Sequence, residues 1–334
     1  MNPVGSLKEP ARIAFIGAGD ISLLHAEAIR NHISSAELAG LWSIDDALNQ
    51  EKAALFDCKI YESAEALVND PTIDAVFILT NLESHTENAT LAMNAGKHVL
   101  IEKPVAPTVA ELEQLKACAE QNGVILCPGH NYIHEPALAR TRELIDGGKL
   151  GDLAAIYIHY HINHPEEVAK RYPGVIRHIL THHSYLLLYL AGANNPPEAV
   201  SAMKSVIHYD EFEGEDLAMV NIRLKSGALA HFCADFAADD HSADPWTFLI
   251  KVIGTEGATR FSYRDWVENK PGVVHSHTWS AYEYHIREEI RHFVEKSLRL
   301  GEAPLSTIND AITCQKIIEA AERSVAERRE IDLS

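Results

Sequence analysis

Six of the chain's 19 histidines fall between positions 159 and 183: His159, His161, His164, His178, His182 and His183. Even spacing would put only about one or two there. Imidazole is the side chain that changes charge near neutral pH, and in its neutral form it also ligates metals. His178 and His182 are four apart, so a helix would carry both on one face, one turn from each other. His159 and His161 are two apart and would share one face of a strand. Two chemistries suit such a set. A lone imidazole could act as general base, with a second one helical turn away beside it. Alternatively His159, His161, His178 and His182 together could ligate a metal. No carboxylate or cysteine joins the cluster at clear spacing, so the metal-free reading is preferred.

A second group able to do chemistry lies near the start, in Arg12 to Ile29, RIAFIGAGDISLLHAEAI. A short apolar run stops at two glycines and turns at once into a helix. Gly17 permits the sharp turn, Gly19 lets a phosphate approach the backbone, and the first free N–H groups of the helix, from Asp20 and Ile21 onward, face the anion. Ser22 replaces the third glycine of the fingerprint. The elements that follow repeat strand then helix. Strands are predicted at Leu38 to Trp42, Asp74 to Thr80, His98 to Ile101 and Val124 to Cys127. Amphipathic helices are predicted at Thr86 to Asn94 and Val109 to Gln121, the latter opened by a Thr108–Glu111 capping box. That alternation predicts an α/β fold with a doubly wound parallel sheet and a dinucleotide crevice at its first turn.

The pattern changes near Pro128-Gly129, dividing the chain into 8–128 and 129–334. The second part predicts helices at Pro136 to Asp146 and Val175 to Leu190 and a long strand from Leu153 to Asn163. Strands follow at Glu198 to Tyr209, Leu217 to Lys225, Ala228 to Phe236 and Phe248 to Gly254, then helices at Tyr282 to Leu300 and Ile308 to Arg328. At 334 residues, 46% hydrophobic and 23% charged, the chain has the composition of a globular protein with two cores. A formal charge of −19 argues against nucleic acid as a partner. No apolar run reaches membrane-spanning length, and MNPVGSLKEP lacks a signal-peptide core. Five scattered cysteines without a C-x-x-C indicate neither a disulfide framework nor a zinc ribbon, and fit a reducing cytoplasm.

The succession GAGDISLLHAEAI, DPTIDAVFILTNLESHTENATLAMNAGKHVLIEKPVA, GHNYIHEPALARTRELIDGGKLGDL and PLSTINDAITCQKIIEAAERS resembles the glucose-fructose oxidoreductase and inositol dehydrogenase family over nearly the whole chain. The resemblance implies a Rossmann domain followed by an α/β domain with a large, mostly antiparallel sheet. It implies an NAD(P)-dependent enzyme acting on a secondary alcohol of a sugar, sugar derivative or cyclitol. Lys103, in Glu102-Lys103-Pro104, would lie near the nicotinamide and the reacting hydroxyl, where a cation stabilises a developing alkoxide. Thr80, Asn81 and His85 match positions that line the cofactor. At the end of the second strand Ser43 takes the place of the acid that usually holds the adenosine ribose. Asp45 and Asp46 follow it and no arginine does, which favours NAD, with NADP as the alternative.

Relatives carry an Asp and, four residues on, a His serving the substrate hydroxyl. Here His178 stands at the Asp position and His182 at the His, so the carboxylate that would orient the imidazole is missing. The strand bearing His159 and His161 and the helix bearing His178 and His182 would flank the substrate, and Tyr132 in GHNYIHEP is a further substrate candidate. Pairing of subunits through the large sheet, as a homodimer or homotetramer, is implied as well. Two other readings stand beside the dehydrogenase: a redox-neutral, NAD-retaining lyase or epimerase, metal-assisted through the histidines, and a cofactor-sensing regulator without catalysis.

Overall fold

The structure, a computed structural model, describes residues 10–236, 246–262, 268–270, 273–275 and 278–333. Residues 1–9, read above for an export signal, lie outside them. The chain forms two compact units, one of Met1–Asn131 with Glu283–Ile312, the other of Tyr132–Tyr282 with Thr313–Ser334.

In the first unit the elements run β1 (Ala11–Ile16), α1 (Ile21–His32), β2 (Ala36–Trp42), α2 (Asp46–Phe56), β3 (Lys59–Ile60), α3 (Ala64–Val68), β4 (Ala75–Ile78), α4 (His85–Asn94), β5 (His98–Glu102), α5 (Val109–Asn122) and β6 (Leu126–Gly129). The strands pair in parallel in the order β3-β2-β1-β4-β5-β6. Chain order reverses between β1 and β4, the switch point at which such sheets bind ligands. β4 and β5 are buried along their whole length, as strands covered on both faces must be. The expected capping box is present: Glu111 N–H donates to Thr108 Oγ1 at 3.2 Å, and that hydroxyl donates to Glu111 Oε2 at 2.7 Å. The sequence pattern missed β3, whose two residues are too few to show a period.

The chain continues with α6 (Pro136–Asp146), β7 (Leu153–Ile162), α7 (Glu166–Ala169), α8 (Val175–His178), α9 (Leu180–Ala191), β8 (Pro197–Ser205), β9 (Leu217–Leu224), β10 (Leu229–Asp235), β11 (Trp246–Gly254), β12 (Ala258–Ser262), the pair β13 (Glu268–Lys270) and β14 (Val273–His275), α10 (Thr278–His292), α11 (Ile308–Glu327) and β15 (Ile331–Asp332). Seven of these strands form a sheet ordered β12-β11-β7-β10-β9-β8-β15. Every pairing in it is antiparallel except that of β7 with β10.

Alternation decides what each strand presents. In β9, Ala218, Val220, Ile222 and Leu224 are buried while Met219, Asn221 and Arg223 are exposed. In β7, Ile156, Ile158 and Tyr160 enter the core, and Tyr157, His159 and His161 therefore point to the outer face.

Two expectations change. The single helix predicted from Val175 to Leu190 is broken at Ile179, where His182 N–H bonds the Ile179 carbonyl three residues back, at 2.9 Å, tightening the turn. The division at 128/129 is not a clean cut in space either, because Glu283–Ile312 returns to the first unit. Phe293 meets Phe77 of β4 edge-on at 5.8 Å, and Ala311 and Ile312 join the first core. Helical periodicity shows that such a segment has an apolar face but not which sheet the face covers.

Candidate active site

The β1–α1 turn has the shape an anion needs. Gly17 has φ +109°, and a Cβ there would come within 2.5 Å of the Leu79 carbonyl, so only glycine fits beside β4. A Cβ on Gly19 would meet nothing within 4 Å, which leaves the backbone open on its exposed side. Asp20 precedes α1 without a side-chain cap, and the first turn of α1 carries no acid, so the positive end of the helix is left to an anionic ligand, with Ser22 and Leu23 N–H bonded to the Gly19 and Asp20 carbonyls at 3.0 and 3.1 Å. Ser22 replaces the third glycine without loss of packing: it is fully buried, and its hydroxyl donates to the Gly19 carbonyl at 2.6 Å. Ile21, beside it, is partly exposed at the start of the helix.

After β2, Ser43 is buried, and its hydroxyl accepts from Asp45 N–H at 3.4 Å. Asp45 caps α2, its Oδ1 accepting from Ala47 N–H at 2.8 Å and Leu48 N–H at 3.1 Å. One oxygen of the acid is thus occupied by the helix end, although its charge stays at the end of β2.

At the end of β5, Glu102 is buried and accepts from His25 Nε2 of α1 at 2.9 Å; an ionised carboxylate only accepts, so that nitrogen carries the hydrogen. Burial alone would raise the Glu102 carboxyl, but the His25 hydrogen bond and charge, together with Lys103, hold it below the ordinary value. Lys103 is pushed down to about 8 by burial, against the opposing pull of Glu102. It is mainly protonated at pH 7 and gives up its proton as pH rises through about 8. The Lys103–Pro104 peptide is cis.

Two further groups face this network. His130, held down to about 3 by burial and then by the Lys103 charge, is a neutral ring whose Nδ1 lies 2.6 Å from Ser306 Oγ. Glu289 is raised well above the carboxylate range by burial and then by Glu102, so it stands as a neutral acid.

The loop residues expected to line the cofactor divide by role. Thr80 bonds Asn81, its hydroxyl donating to the Asn81 carbonyl at 3.2 Å. His85 is buried with Nε2 3.0 Å from the Thr80 carbonyl and Nδ1 2.9 Å from the Pro104 carbonyl. Burial lowers its pKa, so the ring is neutral and brackets the loops after β4 and β5. Both ring nitrogens thus hold the loop that carries Thr80 and Asn81 against the turn at Pro104.

In the second unit His182 is buried in a cage of tyrosines. Its ring lies 4.8 Å from Tyr132, 5.9 Å from Tyr160 and 5.6 Å from Tyr185, and Nδ1 is 2.7 Å from Tyr185 Oη. Tyr185 Oη also accepts from Tyr132 N–H at 3.4 Å. Tyr185 thus occupies the orienting position that the sequence left without a carboxylate. Its spacing of three from His182 was the available signal. His178 keeps different ring neighbours: it stacks on Tyr172 at 3.7 Å, with Phe236 at 5.8 Å and His164 at 6.5 Å.

The four-histidine set is not assembled. Tyr160 faces His182, so its neighbours His159 and His161 lie on the opposite face of the sheet. There they meet Cys233 and Asp235 of β10, which overturns the expectation that no cysteine or carboxylate joins them. Neither His159 and His161 as substrate residues nor the metal set His159, His161, His178 and His182 fits this geometry, since successive side chains of a strand point to opposite faces and Tyr160 takes the face toward His182.

Residues 11–130 match the model of the GFO/IDH/MocA oxidoreductase family with an NAD-binding Rossmann fold, and residues 138–260 match the C-terminal domain of the same family. Myo-inositol 2-dehydrogenase of Thermotoga maritima is 26% identical over 342 residues, covering 96% of this chain and 98% of that one. A 1,5-anhydro-D-fructose reductase of Ensifer adhaerens is 29% identical over 250 residues, covering 72% of this chain and 69% of its own. The crystal structure of scyllo-inositol dehydrogenase from Lactobacillus casei with NAD(H) and scyllo-inositol superposes with a TM-score of 0.84 at 18% identity, covering 97% of this chain and 99% of that one. At that identity the likeness concerns the fold.

The two turn glycines should fail differently when replaced. Gly17→Ala forces a Cβ into the Leu79 backbone at positive φ, and thermal or urea unfolding should show a loss on the order of 2–3 kcal/mol. Gly19→Ala has room to fold normally but fills the open cradle, so calorimetry should show NAD binding weakened by about tenfold or more at unchanged stability. Equal behaviour of the two variants would contradict this division.

Proposed function

The chain belongs to the GFO/IDH/MocA oxidoreductase family, and from that premise we propose that it oxidises a secondary alcohol of a sugar, sugar derivative or cyclitol with NAD. The observation that carries the reading is Lys103 at the end of β5, its ammonium brought down to about 8, in the same unit as a turn open at Gly19 to a dinucleotide. NAD bound there supplies a hydride acceptor at its nicotinamide ring. Lys103, protonated at neutral pH, holds the substrate oxygen and stabilises charge as the alkoxide develops. His182 takes the hydroxyl proton at Nε2, which requires Nδ1–H to donate to Tyr185 Oη. The tyrosine oxygen has lone pairs for both that hydrogen and the Tyr132 N–H. His178, stacked on Tyr172, and Tyr132 are the substrate-side groups nearest His182 in the chain and in space respectively.

The redox-neutral lyase and the non-catalytic sensor gain no observation of their own, and retention of Lys103 and His182 speaks against the sensor. Among the described residues no helix is long and apolar enough to cross a membrane. Among the described residues no cysteine is in a disulfide, in keeping with a reducing cytoplasm. A second copy of the chain would cover the outer sheet face, where Tyr157, Met203, Met219 and Leu229 are exposed, Met203 to 77% and Leu229 to 57%.

Incubation with NAD and a panel of polyols and cyclitols should accumulate NADH with at least one of them, and absence of turnover throughout would reject the dehydrogenase. With that substrate, Lys103→Met should lower kcat by about a hundredfold, roughly 3 kcal/mol, while leaving NAD affinity nearly unchanged. Near-normal turnover would remove Lys103 from the chemistry.

NAD should bind at least about tenfold more tightly than NADP, because Asp45 and Asp46 repel a 2′-phosphate and no arginine follows β2 to pair with one. Quenching of tryptophan fluorescence by each nucleotide measures this, and tighter NADP binding would reverse the assignment.

Tyr185→Phe keeps the ring and removes the partner of His182 Nδ1. It should lower kcat by about tenfold or more with little change in substrate KM, whereas His182→Ala should lower turnover by about two orders of magnitude or more. A Tyr185→Phe variant altered only in stability would mean the tyrosine supports packing alone.

A further inference from the structure

We propose that the outer face of the second unit's sheet holds a site for a transition-metal dication of the zinc type, ligated by His161, Cys233 and Asp235, with His159 as the adjacent fourth donor. This goes beyond the dehydrogenase reading and does not depend on it.

The site follows from register. β7 and β10 are the parallel pair, and they set Cys233 opposite His159 and Asp235 opposite His161. Alternation then brings all four side chains out on one face as a two-by-two block. One ligand atom from each of His161, Cys233 and Asp235 lies within 4.8 Å of the others. Tetrahedral zinc, with bonds of about 2.0 Å to nitrogen or oxygen and 2.3 Å to sulfur, separates its donors by about 3.3–3.8 Å, so small side-chain rotations close the set around an ion. His161 Nδ1 and Asp235 Oδ2 already touch. The donors are imidazole, thiol and carboxylate, a mixture suited to zinc and its neighbours and poorly suited to magnesium or calcium.

His159 supplies an independent indication. Its Nε2 is buried and finds no hydrogen-bond partner among the described residues. Leaving a buried polar atom unsatisfied is unfavourable, and an ion in the block removes that penalty. The His159 ring is 5.9 Å from that of His161 and 5.6 Å from that of His231, so it stands at the edge of the block rather than apart from it. Cys233 is buried, sheltered as a ligand thiol is and unlike a reactive surface thiol. The block is also separate from the proposed proton acceptor. Tyr160, between His159 and His161, turns the other way, toward His182.

The test is a titration of metal-free protein with Co²⁺ alone, followed by zinc competition and elemental analysis. About one equivalent per chain should bind, with visible d–d bands and a near-ultraviolet thiolate-to-cobalt charge-transfer band. Cys233→Ser should lose the charge-transfer band and weaken zinc binding by at least about tenfold. Asp235→Asn should weaken binding similarly while keeping the band, and His182→Asn should leave both unchanged. Absence of stoichiometric binding to the unmutated protein, which would leave only a His161–Asp235 ion pair, overturns the proposal without needing any variant to fold. A thiolate band that persists in Cys233→Ser overturns it as well, as does binding that disappears in His182→Asn.

Discussion

A buried hydrogen bond between His25 and Glu102 fixes the chemistry of the first unit. Glu102 ends β5 inside the protein, where an unpaired carboxylate would be strongly disfavoured, and breaking such a pair generally costs about 3–5 kcal/mol. His25 comes from α1, the helix that begins at the nucleotide turn, and its Nε2 reaches Glu102 Oε1 at 2.9 Å. The bond therefore ties the anion-facing end of the sheet to the strand that delivers Lys103. Phe15, Phe77 and His25 pack against one another beneath it, with ring centroids 5.6–6.3 Å apart, so the imidazole has little freedom to leave. The charge pattern follows from the same arrangement. Glu102 is ionised because His25 and Lys103 support it, and Glu289, buried near it without such support, stays protonated. Lys103 feels both burial and Glu102, and lands close enough to neutrality to serve as a cation and still exchange its proton.

The second unit rests on a different constraint, the two-residue period of β7. Ile158 and Tyr160 face the helices, and His159 and His161 cannot do so. One strand thus serves two environments, one on each face of the sheet. Inside, Tyr160 helps cage a buried imidazole among tyrosines; outside, two histidines join a thiol and a carboxylate. His178 stacks on Tyr172, and the neutral hydroxyl of Tyr185, rather than a charge, orients His182. A hydroxyl fixes the tautomer as a carboxylate does but gives less support to the imidazolium.

Local signals in the sequence located most of the fold. The helix at Pro136–Asp146 matched its predicted bounds, and the Thr108–Glu111 box and the Gly17–Gly19 turn were readable because each depends on residues within a few positions. What escaped depends on pairing across long stretches. Asp235 reaches His161 from 74 residues away, and His25 reaches Glu102 from 77. A histidine count finds that residues 159–183 are unusual but treats a strand and a helix as if their histidines could meet. The two-residue period of β7, which gives the helix side to Ile158 and Tyr160, decides that they do not.

The same reasoning explains why histidines on opposite faces can have separate roles without interfering. A metal ion near His182 would hold the imidazole's lone pair and make it useless as a proton acceptor, and a proton-transferring imidazole makes a poor permanent ligand. Separation by one sheet thickness avoids the conflict. Cys233 and Asp235 are carried on β10, whose alternate residues Phe232 and Ala234 are core. His183, on α9, meets the same strand from the inside: its Nε2 lies 3.2 Å from the Cys233 carbonyl, and burial holds the ring neutral, down to about 3. The backbone at Cys233 is therefore gripped from the interior while its side chain looks outward. A strand so held presents its outer residues at fixed spacing, which is the condition a ligand set needs and an isolated surface cluster lacks.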